Sequence, residues 1–254
     1  LNATSVKVYC DGALGSRGAK LIEPYSDDTL NSGVTITDFD SLTKWAKSCY
    51  EFNFQLCVHS IGDAANRTTL KSMAGVLGGT NDRRWRIEHA QVVDPSDQAL
   101  FGEFNILPSM QPAHTTSDMY WAEDRLGKNR ISNAYAINTL KNQNGMIPLG
   151  TDFPVEDISP IRTFYAAVTR TDESGFPDGG FSPKEKLSRE DALRGITIWP
   201  AIAGFNEDKT GSLEAGKFAD LVILNRNILT CADREILSSE IIQTWINGKL
   251  VYEQ

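Results

Sequence analysis

The order of apolar and amphipathic segments predicts an α/β protein built on a parallel sheet, and two observations carry that prediction. Short strand-like runs alternate with helix-like stretches in the order βαβα from the start of the chain to about residue 205, the order that produces parallel strands joined by right-handed crossovers. From Gly211 the pattern changes to β-forming runs around an Asn-Gly turn, which predicts a separate small β unit. The domain boundaries expected from this change are 1–205 and 206–254.

The predicted strands are residues 6–10 (VKVYC), 54–58 (FQLCV), 84–88 (RWRIE), 105–110 (NILPSM) and 146–150 (MIPLG). Between them, residues 37–53 begin with Asp and Ser, as a capped helix does, and residues 62–79 end on a glycine pair. Residues 94–105 begin with Asp94 and Pro95, a helix-start signal. Two further helical stretches follow at 159–170 and 188–205, separated by an exposed connection around ESGFPDGGFSP. In the tail, INGK reads as a two-residue hairpin turn. A lone hairpin is marginal in water, so this unit is expected to pack on the larger domain or to pair with strands from elsewhere.

The chain has 254 residues, 41% hydrophobic and 23% charged, enough to bury a core. A net charge of −8 without a Lys/Arg cluster argues against a nucleic-acid partner, whose phosphates are neutralised by basic side chains. No apolar stretch approaches the roughly 18 residues of a membrane span. The four cysteines, Cys10, Cys49, Cys57 and Cys231, form no CxxC pair and read as small buried hydrophobes, so the cytoplasm is the expected compartment. The triplets Asn2-Ala3-Thr4 and Asn66-Arg67-Thr68 read as chance glycosylation matches. The chain opens at Leu1 and enters an apolar run within a few residues, which suggests a piece of a longer protein.

Two of the three histidines, His59 in FQLCVHS and His89 in RWRIEHA, stand where a strand-like run gives way to a polar turn. Asp152 in GMIPLGTDFPV repeats the plan. A single buried histidine is more often a hydrogen-bonded core residue than a ligand. Three metal-binding residue types at the ends of three runs point instead to a shared cation at the C-terminal mouth of parallel strands. The glycine-rich Asp11–Arg17 segment lacks the GK[ST] ending of a phosphate-cradling loop and reads as a mouth loop.

Taken in order, VKVYCDGALGSRGA, CVHSIGDAA, RIEHAQ, SMQPAHTTSDMYWAEDRLG, LGTDFPVE and GSLEAGKFADLVIL resemble the amidohydrolase superfamily, in its amidohydrolase-3 or YtcJ-like branch, over essentially the whole chain. The resemblance implies a metal-dependent (β/α)8 TIM barrel, with the predicted strands as its fourth to eighth, and part of a small β-sandwich at the C-terminus. It implies metal ligands at His59, His89 and Asp152, with Asp152 also the catalytic general base. Lys7 matches the lysine that carries CO2 as a carbamate and bridges two metals; its other reading is an exposed strand-edge lysine. Imidazoles with anionic oxygens suit Zn, the most expected of the divalent metals.

His114, Asp11, Arg125, Tyr120 and Trp121 are the candidate substrate-binding residues. His114 is also readable as a loop histidine, Arg125 as a surface partner of Glu123 or Asp124, and Tyr120 and Trp121 as core. The reaction implied is hydrolysis of a C–N bond in a non-peptide amide, formamide or cyclic amide by metal-activated water. A deaminase of the same superfamily is the alternative enzyme.

The superfamily's His-x-His pair is missing from this sequence. One or two metal ions are therefore expected in an intact parent and at most one in this chain. The alternative of another class is an inactive fragment or degenerate barrel acting as an assembly module. The partners expected are a small-molecule substrate, and a second copy or a completing N-terminal segment.

Overall fold

Strand β1 (Ser5–Tyr9) pairs in parallel with β2 (Gln55–Ser60), β2 with β3 (Arg86–His89), and β3 with β4 (Leu107–Ser109). These contacts come from a computed structural model that describes residues 3–254. Leu1 and Asn2, and with Asn2 the first glycosylation triplet, lie outside the described residues. The sheet order β1-β2-β3-β4 follows the chain without reversal. That is the order of a stretch of barrel wall, whereas a doubly wound sheet reverses at a switch point. No helix among the described residues is long and apolar enough to cross a membrane.

The chain divides into two compact units, one holding residues to Met110 with Ser117–Ile147, the other Gln111–Thr116 with Pro148–Gln254. In the first, helix α1 (Phe39–Glu51) follows β1, and α2 (Asp63–Leu77) follows β2. Asp38 caps α1 by accepting the Ser41 N–H, and α1 buries Leu42, Ala46 and Cys49 at helical spacing. Gly78 ends α2 with φ 72°, the left-handed C-cap that glycine adopts without penalty. Val58, Leu70, Met73, Trp85, Ile87, Phe101 and Ile106 form a core with essentially no exposure.

Residues 94–105 are less helical than their sequence suggests. Asp94 accepts from both the backbone N–H and the hydroxyl of Ser96, and Asp97 is drawn off by Arg67 at 2.6 Å. Those bonds make a turn, so helix α3 is confined to Ala99–Glu103. Helices α4 (Pro112–Asp118), α5 (Ala122–Arg130) and α6 (Ile137–Asn144) follow β4. The predicted strand at 146–150 is a correction: it joins neither sheet, and Leu149 donates to the carbonyl of Gly195 instead.

In the second unit, helix α7 (Pro160–Thr169) starts on Ser159, which accepts the Arg162 N–H, with Pro160 at its first position. The stretch 188–205 is broken in two, α8 (Arg189–Ile196) and α9 (Ile198–Ala203), at Thr197, whose φ −129° and ψ −88° are not helical. Strand β5 (Leu221–Leu224), the short helix α10 (Asp233–Ile236), and strands β6 (Ile241–Ile246) and β7 (Lys249–Glu253) complete the chain. The order β5-β6-β7 is antiparallel. Asn247 and Gly248, at φ 50° and 72°, form the turn between β6 and β7. Two left-handed residues in a row are what a type I′ turn demands and Asn-Gly supplies. The hairpin thus gains its third strand from within the tail.

Candidate metal centre

His59 lies near the end of β2, on a strand whose six residues are all buried. In register it stands beside Tyr9, while His89 stands beside Ser60, one residue out of phase. A regular pleat would send the two histidines to opposite faces. His89 escapes the pleat with φ 75°, a left-handed conformation uncommon outside glycine. The two rings then meet edge to face with centroids 4.5 Å apart, and both residues are buried. Two imidazoles so placed are chemically suited to a divalent cation.

The turns behind the two histidines are tied together by Asn66, fully buried on α2. Its amide nitrogen lies 3.0–3.2 Å from the carbonyl oxygens of Ser60, Ile61, Gly62 and Val92. The second glycosylation triplet is therefore an interior staple. Gly62 is needed for a different reason: a Cβ there would sit 2.0 Å from the Lys20 carbonyl oxygen. That carbonyl accepts the N–H groups of Ala64 and Ala65, so the loop after β1 caps the start of α2.

Lys7 is exposed on β1, an edge strand of the sheet, with Nζ 5.3 Å from the centroid of the Tyr9 ring. Tyr9 in turn lies 5.1 Å from the His59 ring. Asp11 has no exposure at all, which corrects its assignment to a substrate. Its carboxylate accepts N–H bonds from Lys20, Ile61 and Gly62 at 2.8–3.0 Å. Burial pushes its pKa up from 3.8 to about 6, against the lowering effect of those three bonds. Burial likewise pushes the Cys10 and Cys57 thiols up to about 11, out of the range of an activated nucleophile.

Arg125 does not pair with Glu123 or Asp124. It reaches Asp27, which also takes a bidentate bond from Arg17, and donates to the Gly15 carbonyl at 3.2 Å. It therefore braces the long loop after β1. Trp121 packs against Gly15, where an added Cβ would meet its ring at 3.2 Å. Tyr120 is 60% exposed and is not a core residue.

In the second unit His114 is buried between two carboxylates, Nε2 lying 3.4 Å from Asp152 Oδ2 and Nδ1 3.3 Å from Glu156 Oε1. Asp152, like His89, is left-handed, with φ 57°. Glu156 drew no attention in the sequence because a lone acidic residue in a polar loop carries no pattern. Only the fold pairs it with a histidine 42 residues away.

A family model described as the amidohydrolase family matches residues 1–252. The chain belongs to that family. It is 36% identical over 250 residues to the Protein LONG AFTER FAR-RED 3 of Arabidopsis thaliana, covering 97% of this chain and 42% of that protein. To the putative amidohydrolase YtcJ of Bacillus subtilis (strain 168) it is 31% identical over 250 residues, covering 98% and 47%. To the N-substituted formamide deformylase of Arthrobacter pascens it is 27% identical over 259 residues, covering 100% and 46%. Among solved structures, an uncharacterized metal-dependent hydrolase from Pyrococcus furiosus superposes with a TM-score of 0.78 at 31% identity, over 89% of this chain and 45% of that one. The chain thus spans less than half the length of these relatives.

Proposed function

We propose that this amidohydrolase-family chain carries part of the centre of a metal-dependent hydrolase that cleaves a C–N bond of an amide, formamide or cyclic amide. The observation that carries the reading is the meeting of the His59 and His89 rings, 4.5 Å apart at the ends of adjacent parallel strands. The solved relative described as a metal-dependent hydrolase supports the metal, and the formamide deformylase supports the bond. Zinc is the ion proposed, because imidazole donors with carboxylates are its usual set.

In this reading His59, His89 and Asp152 are ligands, with Lys7 as a carbamate. A bound divalent cation polarises the scissile carbonyl and lowers the pKa of water toward ~7. Asp152 receives the proton of the attacking water and returns it to the leaving amine. His114, held 3.4 Å from Asp152, orients that carboxylate, with Glu156 fixing the far side of the imidazole. Arg125 and Trp121 shape the loop beside which a small substrate binds, in a protein of the cytoplasm.

The test is zinc titration of the chain and of its His59→Ala and His89→Ala variants, with hydrolysis of an N-substituted formamide followed before and after chelation. Zinc uptake by the wild type, reduced in both variants, supports the ligand reading. Equal uptake by all three overturns it. Zinc binding without hydrolysis favours the non-catalytic module, and release of ammonia from an aminated ring favours the deaminase.

A further inference from the structure

We propose that Asp11 is a positioning residue for His59: its buried carboxylate keeps the imidazole proton on Nε2 and so leaves the lone pair on Nδ1 as the one offered to a cation. The inference rests on the reading of His59 as a metal ligand and adds which ring nitrogen binds and what selects it.

Three features of the first unit support it. Asp11 Oδ1 lies 3.6 Å from His59 Nε2, and the two side chains are 0% and 11% exposed. The carboxylate cannot swing away, because Oδ1 accepts from Ile61 N–H at 3.0 Å while Oδ2 accepts from Gly62 N–H and Lys20 N–H, both at 2.8 Å. The backbone carrying the imidazole is tied to the same place, since Cys10 N–H donates to the His59 carbonyl at 2.9 Å. A carboxylate so fixed is a stationary acceptor set before a ring that has one proton to place.

The separation exceeds that of a hydrogen bond, so the preference is electrostatic. In a buried setting of low dielectric, a negative oxygen facing Nε2 favours an N–H dipole there over a lone pair. The choice of tautomer for a ligating histidine is commonly made in this way by a carboxylate behind the ring. A purely structural Asp11, tying the loop after β1 to the turn after β2, would account for the three backbone bonds but would leave the tautomer indifferent to its charge.

The deciding measurement is the long-range 1H–15N spectrum of the imidazoles in the 15N-labelled chain, in the presence of a chelator and at a pH where they are neutral. With three histidines, the signals are assigned from the His89→Gln and His114→Gln variants. His59 is expected to show a protonated Nε2 and a lone-pair Nδ1. In Asp11→Asn the amide can keep its oxygen toward Gly62 and Lys20 and turn its NH2 toward the ring, so the two nitrogens are expected to exchange their shifts. Zinc added to the wild type is expected to move Nδ1 and not Nε2, with affinity about 10- to 100-fold weaker in Asp11→Asn.

A wild-type His59 protonated on Nδ1, a tautomer unchanged in a folded Asp11→Asn, or zinc on Nε2 would each overturn the proposal. If Asp11→Asn does not fold, the wild-type tautomer and the nitrogen that zinc moves decide. Zinc that moves neither nitrogen of His59, with the expected tautomers intact, would sink the ligand reading and leave Asp11 as the residue that orients this histidine.

Discussion

Strands β2 and β7 are of similar length and opposite character: all six residues of β2 are buried, and all five of β7 are exposed. Strand β2 sits inside a parallel sheet, between β1 and β3, and its sequence QLCVHS is apolar on both faces until the histidine. Strand β7 is the edge of an antiparallel sheet and takes its backbone bonds from β6 alone. The contrast teaches that polar residues are costly in the first setting and cheap in the second. A histidine or aspartate retained in the buried setting is therefore held by named partners, as Asp11 and Asn66 are.

The largest effect is expected in the buried core. Leu70, with no exposure, lies on α2. Leu70→Ala should cost about 2–5 kcal/mol in urea unfolding, the lost transfer energy plus a cavity. A loss below 1 kcal/mol would mean that the first unit can collapse around the gap.

A comparable effect is expected from pH, through Asp11. Its pKa is raised on folding, so its contribution to stability is present below the unfolded value near 3.8 and lost as pH rises through about 6. The unfolding free energy of the wild type, relative to Asp11→Asn, should fall over that window by about 3 kcal/mol. A difference independent of pH would contradict the buried charge.

In the second unit Ser188 accepts the Asp191 N–H at 3.0 Å and caps α8. Ser188→Ala should destabilise by about 1 kcal/mol, with Ser188→Gly milder. The smallest effect belongs to β7: Val251 is 55% exposed, and Val251→Thr should change stability by less than about 0.5 kcal/mol. A cost as large as that of Leu70→Ala would show that β7 is covered in solution.

Much of the local structure was legible. Asp38, Ser159 and Ser188 mark helix starts, Gly78 a helix end, and Asn247-Gly248 a turn, because each signal acts through backbone groups within four residues. The run at 146–150 misled because a short apolar run does not encode its pairing partner, and Leu149 bonds to Gly195 rather than to β4. Residues 94–98 misled because Asp94 and Asp97 are engaged by Ser96 and Arg67, which a helix-start pattern does not reveal.

What the sequence determined by itself is the alternation that makes a parallel α/β wall and the placement of His59, His89 and Asp152 at the ends of apolar runs. Those features depend on period and spacing, which are local. Tertiary structure decided that the left-handed backbone of His89 brings its ring to His59, and that Asp11 is an interior acceptor rather than a mouth residue. It also decided that His114 finds Glu156 and that Arg125 finds Asp27. These outcomes rest on a ring turning out of the pleat or on partners 42 to 98 residues apart. No periodicity records such meetings, because they arise only when separate elements pack.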